Sequence, residues 1–212
     1  ETVSDLSVLG DFETNEDYMP FLHSLMQEGT PNTISGHLNV SVLGGNTANT
    51  EFEFLTGNTM AFLPQGSVAY QQYVKSNDYS IATYLKSKGY DTIAMHPYNA
   101  SGWDRDKVYP LLGFDTFYSL KDWVNPVKIR KYVSDQSCYD KIIELYEQKD
   151  ANTPFFLFNV TMQNHSSYSE EYDNFHPDIT VEGTSSKILP NYLSLIKFCL
   201  LYTSDAADDL IG

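Results

Sequence analysis

One arrangement limits the folds open to this chain: twice, an amphipathic helical stretch leads into a short apolar run of strand character. Tyr79 to Lys88 reads as a helix stopped by Gly89, and Tyr90-Asp91-Thr92-Ile93-Ala94-Met95-His96 follows at once as a buried strand. Ser134 to Gln148 reads as a second helix with Ile142, Ile143, Leu145 and Tyr146 on its apolar side. Pro154 to Met162 then carries Phe155, Phe156, Leu157, Phe158 and Val160, the most hydrophobic strand candidate of the chain. Helices alternating with short apolar strands predict an α/β fold with a mostly parallel central sheet and helices on both faces.

The N-terminal third fits the same architecture. Asn15-Glu16-Asp17 precede Tyr18-Met19-Pro20-Phe21-Leu22, a capped helix start with proline in its first turn, and apolar spacing continues to Met26. Thr33 to Leu43 alternates roughly as a strand, through Ile34, Leu38, Val40 and Val42, before Gly44-Gly45. A strand running into a glycine turn is where α/β enzymes place their chemistry. No Gly/Ser/Pro-rich linker divides the chain, so residues 1–197 are expected to form one folding unit. Residues 198–212 lack a sustained helical or strand period, resemble a translated sequencing adapter, and are expected to be a non-native tail.

Charge and cysteine usage exclude several functions. The 13 Lys and Arg stand against 28 Asp and Glu, a net charge of −15, with no basic stripe to meet a phosphate backbone, so nucleic acid is not an expected partner. Cys138 and Cys199 have no metal-ligand or redox spacing, and Cys138 reads as a buried thiol. No stretch reaches the length of a membrane span, and no signal peptide opens the chain, so any anchor is expected outside it.

Three segments carry candidate chemistry. Gly44-Gly45-Asn46-Thr47 places small residues at a strand end and a hydroxyl at a helix start, where amide N–H groups can face an anion; the bland alternative is that Thr47 caps the helix through Glu51. The loop His96-Pro97-Tyr98-Asn99-Ala100-Ser101-Gly102-Trp103-Asp104-Arg105 leaves a strand end, with an arginine able to grip phosphate oxygens and a tryptophan able to pack on a glycerol, although Arg105 could instead pair with Asp104 or Asp106. Asn164-His165, after the third strand, offers an imidazole that could donate to a phosphate or protonate a leaving oxygen.

The run Gly45-x-Thr47-x-x-x-Glu51-Phe52, followed by Leu63-Pro64-Gln65-Gly66, resembles the nucleophile segment of the lipoteichoic acid synthase family, within the sulfatase/alkaline phosphatase superfamily, and the resemblance covers Glu1 to about Lys197. It implies a metal-bound Thr47 that attacks the phosphodiester of phosphatidylglycerol, forms a covalent glycerophospho-enzyme, releases diacylglycerol and passes glycerophosphate to a polyglycerolphosphate chain. Metal coordination is among the few ways to activate a threonine hydroxyl near neutral pH. Glu1, in Glu-Thr-Val-Ser-Asp-Leu, resembles the family's metal-ligating glutamate. The family's W-x-R headgroup contact falls on Trp103 and Arg105, and its active-site T-x-x-N-H histidine on His165; Tyr98 stands where relatives carry a headgroup-contacting aspartate.

The same resemblance implies Mn²⁺, with Mg²⁺ as the second choice, and a bacterial membrane protein whose catalytic domain lies outside the cytoplasm, held by helices absent from this chain. The family's Asp-His pair, in a G-D-H context, has no counterpart here, so the chain is expected to be the front portion of a catalytic domain and inactive alone. A sulfatase activity would need a C-x-P-S-R-type segment, which Ser137-Cys138-Tyr139-Asp140 is not. Phosphoethanolamine transfer, another hydrolase of the superfamily, and a non-catalytic envelope-binding domain remain the alternatives.

Overall fold

The computed structural model describes residues 3–27, 31, 33–36, 40–42, 46–186 and 188–211. Two compact units emerge from the contacts, one built from residues 38–125 and 144–160, the other from residues 2–37, 126–143 and 161–212.

The first unit holds the sheet. Strands β1 (Asp91–His96), β2 (Thr116–Ser119) and β5 (Phe155–Asn159) pair in parallel in the order β2-β1-β5, so β1 is central. Its register places Ala94 beside Phe117 on one neighbour and Phe158 on the other. A small residue between two phenylalanines leaves room for a third ring: Tyr109 stands edge-on to Phe117 with centroids 4.8 Å apart and to Phe158 at 6.5 Å. Such pairs contribute about 0.5–1.5 kcal/mol each beyond their buried area.

Tyr109 belongs to α5 (Arg105–Leu111), which packs with α2 (Thr47–Thr56), α3 (Ala69–Gln72) and α4 (Ile81–Lys86) on this face through Ala48, Phe52, Leu55, Tyr70, Ala82 and Val108. The entry to α4 is tightly specified: Ser80 caps it by accepting from the Ala82 and Thr83 N–H groups, with Thr83 returning the bond in a capping box. Gly113 is required beside it. Its φ of +91° suits glycine, and a Cβ there would come within 2.9 Å of the Thr83 backbone.

In the second unit, α1 (Pro20–Leu25) starts with proline at its first position and shares a core of Tyr18, Met19, Ile179, Leu193 and Ile196 with α7 (Ile188–Ile211). A two-stranded antiparallel hairpin, β3 (Lys128–Ile129) and β4 (Tyr132–Val133), turns through Arg130 at φ 57°. It leads into α6 (Asp135–Gln148), whose first nine residues belong to this unit.

The α/β class with a parallel central sheet flanked by helices is therefore as expected, and three local readings need correction. The strand expected over Thr33–Leu43 is not one among its described residues: Ile34 is fully exposed and Val40 half exposed, so the alternation has no partner face. The apolar run Pro154–Met162 forms only Phe155–Asn159, half-buried along its length and, among the described residues, at the edge of the sheet. Residues 198–211, expected to lack helical order, continue α7 to Ile211, and Cys199 within them is buried; alanine and leucine favour the helix even where the charge pattern hides its period.

Candidate active site

In the first unit, α2 is tied to α3, to α5 and to the loop that leaves β1 by buried side-chain hydrogen bonds. Thr47 is the first residue of this ten-residue helix and is half-buried. The cap position falls to Asn46, in the left-handed region at φ 58°, and its side chain makes no capping bond. The threonine is thus inside the helix and not its cap. The N-terminal end of α2 carries the positive end of the helix dipole, which favours an anion. Gly57, at φ 71°, closes the other end and returns its N–H to the Glu53 carbonyl.

One turn after Thr47, on the same helix face, stands Glu51. Its side chain is only 4% exposed and faces the 3%-exposed guanidinium of Arg105. Arg105 Nε donates to Glu51 Oε2 at 3.2 Å, and Nη2 donates to Oε1 in a shorter contact. Tyr109 donates its hydroxyl to Oε2 at 2.8 Å and Tyr70 donates at 3.3 Å. Glu51 therefore accepts four hydrogen bonds, three on Oε2 and one on Oε1, which hold the buried carboxylate in place. Burial works against the charge of Arg105, but the Glu51 hydrogen bonds and charge overcome it and raise the guanidinium above its ordinary value. Both tyrosines are pushed well above theirs, first by burial and then by the Glu51 charge.

Arg105 also ties down the loop before it. Its Nη1 donates to the Gly102 carbonyl at 3.3 Å, and the tight turn Gly102–Asp104 carries Trp103 and Asp104 both at φ 57°. Two consecutive left-handed residues that are not glycine cost of order 1–3 kcal/mol each and persist only where surroundings hold them. Trp103 packs against the Tyr109 core, and Asp104 pairs with Lys107 at 2.6 Å. The loop starts at the C-terminal end of β1, where His96, 3% exposed, hydrogen-bonds through Nδ1 to the Val160 carbonyl at 2.8 Å. Ligands of open parallel sheets bind on this side of the strands. Tyr98, close to the loop start, is exposed and its ring lies 6.1 Å from that of His96.

His165 belongs to the second unit. Its Nδ1 lies 2.8 Å from the Ser166 carbonyl and 3.2 Å from the Tyr132 hydroxyl. A carbonyl only accepts, so Nδ1 carries the proton and Nε2 presents its lone pair in the neutral ring. The exposed imidazole sits on a segment held by Arg130, which donates to the carbonyls of Gln163 at 2.8 Å, His165 at 2.6 Å and Ser167 at 2.7 Å. The Arg130 guanidinium also lies over the rings of Tyr132 and Tyr168, at 5.4 and 5.5 Å.

Thr47, Trp103 and Arg105 thus lie in one unit, and the helix of the first is linked to the loop of the other two by a residue that sequence reasoning left without a role. Glu51 was visible only as the seventh residue of the threonine motif, four positions after Thr47; its partner Arg105 lies 54 residues away, beyond any local pattern. The alternative pairing of Arg105 with Asp104 or Asp106 is not the one formed. Glu1, expected as a metal ligand, lies outside the described residues. Among the described residues, no group of three or more His, Cys, Asp or Glu side chains could hold a metal ion. The hydroxyl and carboxylate of Thr47 and Glu1 suit Mn²⁺ or Mg²⁺ in kind but fall short in number. Cys138 and Cys199 are buried free thiols, and burial raises both.

The chain is 36% identical over 168 residues, 79% of its length, to a Rhizobium meliloti protein named for modification of cyclic beta-1,2-glucan, of which that match covers 25%. It is 27% identical over 196 residues to lipoteichoic acid synthase 1 of Bacillus subtilis, 91% of this chain and 30% of that protein. The chain therefore spans a quarter to a third of these relatives' length. The solved phosphoglycerol transferase GacH of Streptococcus pyogenes, in complex with sn-glycerol-1-phosphate, superposes with a TM-score of 0.81 at 27% identity, covering 99% of this chain and 55% of that one. The sulfatase family model matches residues 5–209, and the chain belongs to that family.

Proposed function

We propose that this chain carries the nucleophile half of a phosphoglycerol transferase, in which the Thr47 hydroxyl takes glycerophosphate from the anionic phospholipid phosphatidylglycerol. The observation that carries the reading is Thr47 at the first position of α2, a helix tied through the Glu51–Arg105 pair to the loop from β1 that bears Trp103. The Thr47 oxygen attacks phosphorus, the bond from phosphorus to the diacylglycerol oxygen breaks, and that oxygen takes a proton as diacylglycerol leaves. An acceptor hydroxyl then displaces Thr47, which regains its proton. The positive end of the α2 dipole steadies the charge on the phosphoryl oxygens through both stages.

This local positive end matters because the chain as a whole carries −15 and would repel an anionic lipid. Trp103 is proposed to pack on the glycerol, Arg105 to orient the headgroup indirectly by holding the Trp103 loop, and His165, once Nε2 has taken up a proton, to pass that proton to the leaving oxygen. Mn²⁺, or Mg²⁺, held in part by Thr47 and Glu1, would supply the acidity that turns the threonine hydroxyl into a nucleophile. Membrane anchorage and a position outside the cytoplasm belong to the same proposal; no helix among the described residues is long and apolar enough to cross a membrane.

For the acceptor there are two readings. The lipoteichoic acid synthases favour a polyglycerolphosphate chain, whereas the 36%-identical relative, named for glucan modification, favours a glucan hydroxyl. The experiment is to incubate the full-length protein with phosphatidylglycerol and Mn²⁺ and to map adducts by peptide mass spectrometry. Glycerophosphate on the Thr47 peptide supports the reading, and its chase onto added glucan or polyglycerolphosphate selects the acceptor. Turnover without an adduct at Thr47 contradicts it.

A further inference from the structure

Beyond the proposed nucleophile and headgroup contacts lies the question of what holds the Trp103 turn in place. That turn places two non-glycine residues in left-handed conformation, and the side chain that ties it down is Arg105, through the Gly102 carbonyl. Arg105 is oriented in turn by Glu51, on the helix that presents Thr47. The carboxylate is locked on its far side by the Tyr70 and Tyr109 hydroxyls, so it cannot swing away without leaving buried groups unsatisfied. The chain of contacts runs without a gap from the Thr47 helix to the Trp103 loop.

We propose that Glu51 is a positioning residue: by fixing the Arg105 guanidinium one helical turn from Thr47, it holds Trp103 where an anionic phosphoglycerol headgroup is seated and so sets the affinity for that headgroup. This rests on the phosphotransfer reading. Glu51 touches neither substrate nor reacting atoms; a planar, forked carboxylate–guanidinium pair fixes direction as well as distance, which a point charge would not do.

The test uses protein labelled with 5-fluorotryptophan, the Trp103 resonance being assigned through Trp103→Phe. Two variants separate positioning from simple stability: Glu51→Gln keeps Arg105 but removes the carboxylate charge, and Glu51→Met with Arg105→Met fills the same space with apolar side chains, a replacement that buried ion pairs tolerate. Both are expected to shift or broaden the Trp103 fluorine signal. In Glu51→Gln, KM for phosphatidylglycerol is expected to rise about tenfold with kcat within about twofold, the pattern of lost headgroup binding. A Trp103 signal unchanged in both folded variants overturns the proposal. So does a fall in kcat with KM unchanged, which would make Glu51 part of the chemistry. The fluorine measurement needs no turnover, so it stands or falls separately from the phosphotransfer reading.

Discussion

Two arginines are buried in this chain, and they keep their charge in opposite ways. Arg105, in the first unit, faces a carboxylate that is itself held by two tyrosines; Arg130, in the second, has three main-chain carbonyls and two ring faces, and among the described residues no carboxylate pairs with it. The consequence shows in their acidity: burial depresses both, yet Glu51 more than restores Arg105, whereas Arg130 stays below its ordinary value. Dipoles and ring faces satisfy hydrogen-bond geometry without supplying a counter-charge. Arg105 thus belongs to a closed neutral pair that gives rigidity, while Arg130 leaves a positive charge under the His165 segment.

That contrast can be broken most strongly at Glu51. Glu51→Gln strands a buried guanidinium, and breaking a buried pair from one side costs about 3–5 kcal/mol; urea unfolding should show a loss of that size. Removal of Arg130 leaves no charge behind, only carbonyls that must find other donors, so Arg130→Met should cost less, about 2 kcal/mol. Equal losses in the two variants would erase the distinction. Replacing Glu51 and Arg105 together by methionine should be less destabilising than Glu51→Gln, because the desolvation of both charges disappears with them, but the Tyr70 and Tyr109 hydroxyls lose their acceptor and keep part of the loss.

A third pair marks the lower end of the scale. Lys86 and Asp115 form an ion pair with both side chains well exposed, at 50% and 43%. Removing it with Lys86→Met should change stability by no more than about 0.5 kcal/mol, since solvent screens exposed pairs. Its pH signature has a definite sign. Partial burial raises the Asp115 carboxyl, but hydrogen bonds from Lys86 and Thr92 outweigh it and lower the group below its usual 3.8. A depressed carboxylate stabilises the fold fully above its unfolded value, and the contribution fades as pH falls through the folded one. Between pH 5 and 8, denaturation midpoints of Asp115→Asn and the parent should differ by a constant small amount, and the gap should close in stronger acid.

Local patterning revealed the elements that are themselves local. Proline at the start of α1, Gly89 after α4 and the apolar run of β1 all stand in the sequence as caps, stops and periods, and each element formed within a few residues of its reading. What escaped was set by partners distant in sequence. Helix α5 begins after two left-handed residues and contains Pro110, so nothing in its own residues announces a helix; it is held by the pairing of Arg105 with Glu51 and by Tyr109 against the sheet. The two-residue strands β3 and β4 are too short to show a period, and the Arg130 turn that joins them is fixed by carbonyls more than thirty residues further on. In the candidate site, motif resemblance found Thr47, Trp103 and Arg105, and only three-dimensional structure found the carboxylate that connects them.

The most direct test of the central claim is diacylglycerol release from phosphatidylglycerol by the full-length protein in Mn²⁺, compared with its Thr47→Ala variant. The account predicts release by the parent protein and a loss of at least about a thousandfold in the variant, the scale expected when a nucleophile is removed. Release by Thr47→Ala within a few fold of the parent protein would contradict it.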